Sequence, residues 1–203
     1  MTGSIAVLIR HGDYFQRPGV PSALQPYPLT PLGKTQARDC GAELAAYIAA
    51  EGLTLDLVLH SSCQLRAWQT AQIAGEVLAE HGHDVQINQT PALAERSVGS
   101  AANLTVDQIE AVLTADPRYS APPRNWKSDS EYCLPLEGAE SMMMAGTRVA
   151  EHLRQVMADK EPGIVTLFFG HGASFRHAAH LLGVLTFDEI AGLSGGESNF
   201  ANV

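Results

Sequence analysis

Short apolar segments alternate with longer segments of helical pattern along this chain, and this alternation constrains the fold more than any other feature. Residues 5–9 (IAVLI) and 164–169 (IVTLFF) are apolar runs with β-branched members, typical of strands buried in a parallel sheet. A third such strand is predicted over residues 55–59. Strands that alternate with helices predict a three-layer α/β/α sandwich around a mainly parallel sheet.

Capping and breaking residues predict where the helices begin and end. Thr30 and Pro31 indicate an N-cap and a first helical position, and Gly52 ends that helix. Ser61 or Ser62 is expected to cap the next helix, which runs to about residue 81. Further helices are predicted over residues 105–115, 139–160 and 174–182, and further strands over 84–88, at a sheet edge, and 197–203.

Two irregular segments interrupt this pattern in what we interpret as one domain over residues 1–203. A proline-rich loop is predicted over residues 13–31, and an irregular insertion or lid around residues 100–138. Tyr119, Trp126 and Tyr132 lie in the insertion. They either cover a substrate or anchor the loop, and the two interpretations are equally weighted.

The acidic balance of the chain limits its partners. A net charge of −9 argues against nucleic acid and anionic membranes, since both attract basic surfaces. Cys40, Cys63 and Cys133 form no CxxC pair, which predicts free thiols in a reducing compartment and hence a cytoplasmic protein. The apolar run at residues 5–9 is too short for a signal peptide or a membrane span.

Basic and imidazole side chains follow three of the predicted strands. Residues 10–12 (RHG) follow the first strand, Arg66 lies in the first turns after the second, and residues 170–172 (GHG) follow the strongest. Ligands of such sheets bind beyond the carboxyl ends of the strands, so these groups are expected to converge. The sequence therefore predicts a site with two histidines and two arginines at one edge of the sheet.

This combination of side chains suits phosphoryl transfer. Arginine forks match phosphoryl oxygens, and a neutral histidine can act as a nucleophile and form a covalent phospho-intermediate. Neighbouring arginines are expected to disfavour the imidazolium form. The N-termini of the helices after Ser61 or Ser62 and after Gly172 would add positive potential toward an anion.

The ordered set of motifs resembles the histidine phosphatase superfamily, the phosphoglycerate-mutase-like proteins, in its smaller-domain branch. Any one of these motifs is weak by itself, whereas their order along most of the chain is specific. The matching segments are LIRHG (8–12), LTPLGKTQA (29–37), SSCQLRAWQTA (61–71), LAERSVG (93–99), EGAES (137–141) and FGHGASFR (169–176).

The resemblance implies a phosphoglycerate-mutase-like fold and a role for each site residue. His11 is similar to the family's nucleophile, which becomes phosphorylated, and Arg10, Arg66 and His171 to its phosphate pocket. Glu95 resembles the general acid that protonates the leaving oxygen and then acts as base toward water. The family uses no metal and no organic cofactor for this chemistry, so none is expected here.

Other positions add to the expected pocket or depart from the family. Gly12 and Gly172, beside the two histidines, would let the backbone approach a phosphate closely. Arg17 stands where the family often has a phosphate-binding Asn, and would replace that contact or meet a second anionic group. Tyr14 stands where the family often has Ser or Thr.

The FxGWxD stretch of the mutases is absent, which favours hydrolysis over mutase activity. The sequence thus predicts a metal-independent hydrolase of small phosphomonoesters. A phosphoglycerate-type mutase and a non-catalytic phospholigand-binding module are the alternatives, and a homodimer is left open. The remaining histidines, His177 among them, are interpreted as packing or surface residues.

Overall fold

The structure is a computed structural model that describes residues 3–192. The predicted strand over residues 197–203 therefore lies outside the described residues. In chain order the elements are β1 (Ile5–Arg10), α1 (Pro31–Ala50), β2 (Thr54–Leu55), β3 (Val58–Ser62), α2 (Leu65–Glu80), β4 (Gln86–Thr90), α3 (Val106–Ala115), α4 (Met142–Met157), β5 (Ile164–Gly170), α5 (Gly172–Leu181) and α6 (Phe187–Gly192).

The sheet has the order β1-β5-β3-β4, with the short β2 also paired to β5. All pairings between the described strands are parallel, as predicted. Arg10 is in register with Gly170, and Ser61 with Phe169. The register therefore places the carboxyl ends of β1, β3 and β5 side by side.

Helices cover both faces of the sheet, which confirms the three-layer sandwich. On one face, Phe169 packs with residues of α1 and α2 such as Leu44 and Leu78. On the other face, Phe168 packs with residues of α4 and α5 such as Val149 and Phe175. Because successive side chains of a strand point to opposite faces, these two adjacent phenylalanines belong to separate cores.

The strand predictions hold with three changes. The strand predicted over residues 55–59 is divided into β2 and β3, because the Asp56 carboxylate accepts the Val58 N–H and forms an ion pair with Lys160 at 2.5 Å. β4 is an edge strand as predicted, but it begins and ends two residues later. β1 also lies at the end of the described sheet, so it is less buried than its apolar run predicts.

The helix predictions hold where a side chain caps the helix locally. The Thr30 hydroxyl accepts the Gly33 N–H at the start of α1, and Thr105 and Ser141 cap α3 and α4 in the same way. The predicted Ser61 or Ser62 cap is wrong: β3 continues through Ser62, and Gln64 occupies the N-cap of α2. The short helix α6 was not predicted.

The insertion has its own small apolar core. The cluster comprises Val98, Ala101, Ile109, Leu113, Trp126 and Leu134. Residues 116–138 contain neither helix nor strand, as predicted. The helix predicted over residues 139–160, α4, begins three residues later because Ser141 caps it, and it ends three residues earlier. Trp126 is 1% exposed, so it anchors the insertion rather than covering the cavity with its ring.

The three cysteine thiols are free, as predicted. Among the described residues, no helix has the length and apolar character needed to cross a membrane.

Candidate active site

The turn after β1 is held by the N-terminus of α1. The Asp13 N–H donates to Gln36 Oε1 at 2.7 Å, and the Thr30 N–H donates to the Asp13 carbonyl at 3.0 Å. A Cβ on Gly12 would lie 2.6 Å from the Gly33 carbonyl oxygen, and a Cβ on Gly33 would clash with the Asp13 carbonyl oxygen, so both glycines are required for this close approach. The LTPLGKTQA motif therefore fixes the loop that carries the candidate nucleophile.

His11 is buried, and both of its ring nitrogens have partners. Nδ1–H donates to the Gly12 carbonyl at 2.8 Å, which leaves the Nε2 lone pair free to accept from Arg66 Nε at 3.1 Å. Burial first, and then the charge of Arg66, lower the pKa of His11 to about 3. The ring is thus neutral near pH 7, as predicted, and its lone pair is on Nε2.

Arg66 joins the two histidines to the proline-rich loop. Its side chain is fully buried, and its Nη2 lies 3.2 Å from His171 Nδ1. The same guanidinium donates to the carbonyl oxygens of Ser22 and Gln25 at 3.0 and 3.1 Å. Sequence reasoning placed Arg66 in the phosphate pocket but did not predict its bonds to the loop.

His171 is the other buried imidazole of the group. Because Arg66 can only donate, His171 Nδ1 accepts, and Nε2–H donates to Ser62 Oγ at 3.0 Å. Burial and the nearby Arg66 hold the pKa of His171 well below its ordinary value. The ring centroids of His11 and His171 lie 5.1 Å apart, so the structure does bring the two predicted histidines together.

Arg10 and Tyr14 complete the surroundings of His11. Arg10 Nε is buried and has no hydrogen-bond partner among the described residues, which suits it to donate to a ligand oxygen. The Tyr14 ring meets the His11 ring edge-on at 5.2 Å, and the Arg66 guanidinium lies 4.6 Å from the Tyr14 ring centre. Burial raises the pKa of Tyr14. This aromatic support replaces the small hydroxyl residue that the family often has.

Glu95 caps the N-terminus of α5. Its Oε1 accepts the N–H groups of Arg96 and Ser174 at 2.9 and 3.1 Å, and its Oε2 accepts the Ala173 N–H at 3.3 Å. The positive end of α5, which we expected to face a bound anion directly, therefore binds the Glu95 carboxylate. These hydrogen bonds hold the Glu95 carboxylate beside the loop that carries His171.

Two residues to which sequence reasoning gave no supporting role, Arg148 and Glu140, hold the segments on either side of Glu95. Arg148 donates to the carbonyl oxygens of Pro91, Ala92 and Ala94 and pairs with Glu140 at 2.9 Å. Glu140 also accepts the Ser97 N–H at 3.1 Å. Glu140 lies in the EGAES motif, which was the available signal, whereas Arg148 lies in no recognised motif.

A cavity of about 570 Å3 opens beside these groups. Of the predicted site residues, those that line it are Arg10, His11, Glu95 and Gly172. Arg66 and His171 contact His11 but are not among the lining residues. Gly12 is buried beneath the turn and donates its N–H to Thr70 Oγ1 at 3.1 Å.

Arg17 is not brought into this group. Its side chain is exposed, its backbone N–H donates to Gln25 Oε1 at 2.7 Å, and it does not line the cavity. Across residues 3–192, no cluster of three or more His, Cys, Asp or Glu side chains could hold a metal ion.

The fold is similar to solved phosphatase structures. A mycobacterial glucosyl-3-phosphoglycerate phosphatase is 23% identical, with a TM-score of 0.67 over 96% of this chain and 86% of the other. A phosphoserine phosphatase from Entamoeba histolytica, in complex with 3-phosphoglyceric acid, is 22% identical, with a TM-score of 0.63 over 96% and 87%. A comparison with curated protein sequences finds no match.

The sequence profile of the histidine phosphatase superfamily (branch 1) matches residues 6–194. This region includes the turn of His11, the Glu95 segment and the loop of His171. Since the match spans nearly the whole chain and the fold agrees with it, the chain belongs to the histidine phosphatase superfamily, branch 1.

Proposed function

We propose that this protein hydrolyses small phosphomonoesters through a phosphohistidine formed on His11, with Glu95 as general acid and base. The observation that carries the proposal is that the buried His11 ring is neutral and held in one tautomer. Its Nδ1–H is committed to the Gly12 carbonyl, its Nε2 accepts from Arg66 Nε, and the ring lines a cavity together with Arg10. A neutral imidazole held in one tautomer is what a histidine nucleophile requires.

In the first step, Arg66 Nε–H transfers its hydrogen bond from His11 Nε2 to a phosphoryl oxygen. The freed Nε2 lone pair then attacks phosphorus, and the bond from phosphorus to the leaving oxygen breaks. Protonated Glu95 gives its proton to that oxygen. In the second step, water attacks the phosphohistidine, Glu95 takes a proton from the water, and the N–P bond breaks. Inorganic phosphate and neutral His11 are regenerated.

The hydrogen bonds of Glu95 engage one carboxyl oxygen more fully than the other. Oε1 accepts two N–H bonds at 2.9 and 3.1 Å, whereas Oε2 accepts a single longer one at 3.3 Å. Oε2 is therefore the oxygen with the greater free capacity to carry and transfer a proton. The cap on α5 fixes the carboxyl group while leaving this oxygen available.

Positive charge from side chains replaces a metal ion in this proposal. Arg10 and Arg66 neutralise the phosphoryl oxygens, and neutral His171 is held beside them. We expect activity to persist in excess EDTA. We also place the protein in the cytoplasm, because its three thiols are free.

Trapping the intermediate tests the proposal. A ³²P-labelled phosphomonoester, quenched in acid or in alkali, should leave a phosphoprotein that is stable in alkali and labile in acid. His11→Ala should abolish the label and lower kcat/KM by at least about 1,000-fold. His81→Ala is the matched control, because His81 is exposed and lies at the end of α2.

Glu95→Gln separates the two roles. This variant keeps an acceptor for the α5 N–H groups but cannot carry the proton. We expect kcat to fall while the label on His11 persists, most clearly with a good leaving group such as p-nitrophenol. Full activity of His11→Ala, or label on another residue, would rule out the mechanism.

A further inference from the structure

The Tyr14 hydroxyl is a buried polar group that the proposed mechanism does not use. Tyr14 is 8% exposed and lines the cavity together with His11. Its hydroxyl oxygen is buried and has no hydrogen-bond partner of regular geometry among the described residues. Because an unpaired buried hydroxyl destabilises a folded protein, a group of this kind calls for a functional explanation.

Packing holds the Tyr14 ring in place. The ring packs with Leu29 and Ala37, and the Tyr14 backbone forms an antiparallel bridge with Leu29. The Leu29 N–H donates in turn to Gln69 Oε1 on α2 at 2.8 Å. A ring fixed through both its backbone and its side chain cannot readily carry its hydroxyl to another protein partner.

The same ring contacts the groups that would react. It meets the His11 ring edge-on, with 5.2 Å between the ring centroids, and the Arg66 guanidinium lies 4.6 Å from its centre. Arg10 and Arg66 are close enough to act on its pKa, as is Glu95. The Tyr14 hydroxyl is therefore within electrostatic reach of the groups that surround the candidate nucleophile.

The Tyr14 hydroxyl is a proton donor at neutral pH. Burial, the strongest influence, raises its pKa above the ordinary value of about 10, so the phenol keeps its proton. Ser22 lowers this pKa as a donor toward the phenol oxygen, although no hydrogen bond of regular geometry joins the two groups. A donor on that side leaves the phenol proton itself free for an acceptor.

Arg10 Nε is another buried donor without a hydrogen-bond partner among the described residues. Arg10 and Tyr14 both line the cavity together with His11. A phosphoryl group on His11 Nε2 carries several negatively charged oxygens, and charged oxygens are strong acceptors. One such group can therefore satisfy both donors.

We propose that the Tyr14 hydroxyl donates a hydrogen bond to an oxygen of the transferring phosphoryl group, which makes Tyr14 a further catalytic residue. The hydrogen bond forms when the phosphoryl group arrives and persists in the phosphohistidine, and no proton leaves Tyr14. This inference rests on the proposed phosphatase function. It concerns a departure of this chain from its family, which often has Ser or Thr here, and a phenol hydroxyl reaches farther than theirs.

Tyr14→Phe tests the inference, because it removes the hydroxyl and keeps the ring. Calorimetric titration with inorganic phosphate gives Kd, and hydrolysis of p-nitrophenyl phosphate gives kcat/KM. We expect Kd to rise and kcat/KM to fall, each by at least about ten-fold, the factor for a hydrogen bond to a charged group. Tyr47→Phe is the matched control: it removes the same atom at an exposed position of α1 and should change neither quantity.

Stability separates this role from a packing role. Without phosphate, the urea midpoint of Tyr14→Phe should not fall, because the hydroxyl has no protein partner to lose. A lower midpoint would show that a protein group already holds the hydroxyl, and would overturn the inference. An unchanged phosphate Kd beside a reduced kcat/KM would also overturn it, since the hydroxyl would then act on the leaving group.

Phosphate binding also separates this inference from the proposed function. If the wild-type protein hydrolyses no phosphomonoester, the phosphatase proposal fails, but the phosphate titration still reports on Tyr14. Weaker phosphate binding by Tyr14→Phe would then support the inference. Equal binding by the two proteins, or no binding by the wild-type protein, would overturn it.

Discussion

Arg66→Ala tests whether a single guanidinium both completes the site and holds the proline-rich loop. The side chain is fully buried and donates to the carbonyl oxygens of Ser22 and Gln25 and to the rings of His11 and His171. A residue that only bound phosphate would lower activity when replaced and leave stability unchanged. The structure predicts a loss of both.

The expected magnitude follows from the groups that lose Arg66 as a hydrogen-bond donor. Each buried polar group that loses its hydrogen bond costs about 1–3 kcal/mol, and two carbonyl groups and two ring nitrogens are affected. The cost of burying the charge disappears in the variant and offsets part of this loss. We expect the free energy of unfolding to fall by about 3–5 kcal/mol, as for other broken buried charge contacts.

Urea unfolding followed by tryptophan fluorescence measures this change. At a slope of about 2 kcal/mol per molar urea, the midpoint should fall by about 2 M. Limited proteolysis should cut the loop over residues 17–28 faster in the variant. Arg38→Ala, at an exposed position of α1, should change stability by at most about 0.5 kcal/mol. A loss below about 1 kcal/mol for Arg66→Ala with unchanged loop cleavage would refute the reasoning.

Two further predictions concern pH and the turn before Glu95. Burial lowers the pKa of His11 to about 3 and holds that of His171 well below its ordinary value. Both rings are therefore neutral in the folded protein but take up a proton on unfolding once the pH falls below about 6.5. Stability should therefore fall with decreasing pH between about 6.5 and 3, by up to about 1.4 kcal/mol per pH unit for each histidine. Urea midpoints at pH 7, 5.5 and 4.5 measure this, and His11→Gln should reduce the slope; an equal slope in that variant contradicts the assignment. Arg148→Ala should lower kcat by about ten-fold with little change in KM, because its bonds hold the turn that positions Glu95. Arg154→Ala, on the exposed side of the same helix, is the control, and equal kcat values for the two variants would exclude this positioning role.

Local signals predicted the elements whose ends depend on nearby residues. Thr30 and Pro31 start α1 because a hydroxyl three residues before an N–H can cap it without help from the rest of the chain. Ser62 carries the same local signal, but its backbone belongs to β3 and its hydroxyl pairs with His171, 109 positions away. The hydrogen bond between Ser62 and His171, which follows another strand, therefore outweighs the local signal that Ser62 would cap a helix.

The insertion was harder to interpret for a related reason. Prolines and mixed charge predict irregular structure over residues 116–138, and the structure agrees. Whether Trp126 covers the cavity or anchors the loop depends on its partner Glu110, on the separate helix α3. No periodicity within the insertion reports that contact.

The sequence by itself determined the three-layer architecture and the edge at which His11, Arg66 and His171 meet. Alternating strands and helices require a parallel sheet, and the carboxyl ends of parallel strands share one edge. Only the tertiary structure decided what each group does at that edge. It directed the Arg66 guanidinium to the proline-rich loop, placed Glu95 on the N-terminus of α5 and brought Tyr14 to the cavity wall. The physical reason is that hydrogen-bond partners 41 to 105 positions apart along the chain are chosen by packing.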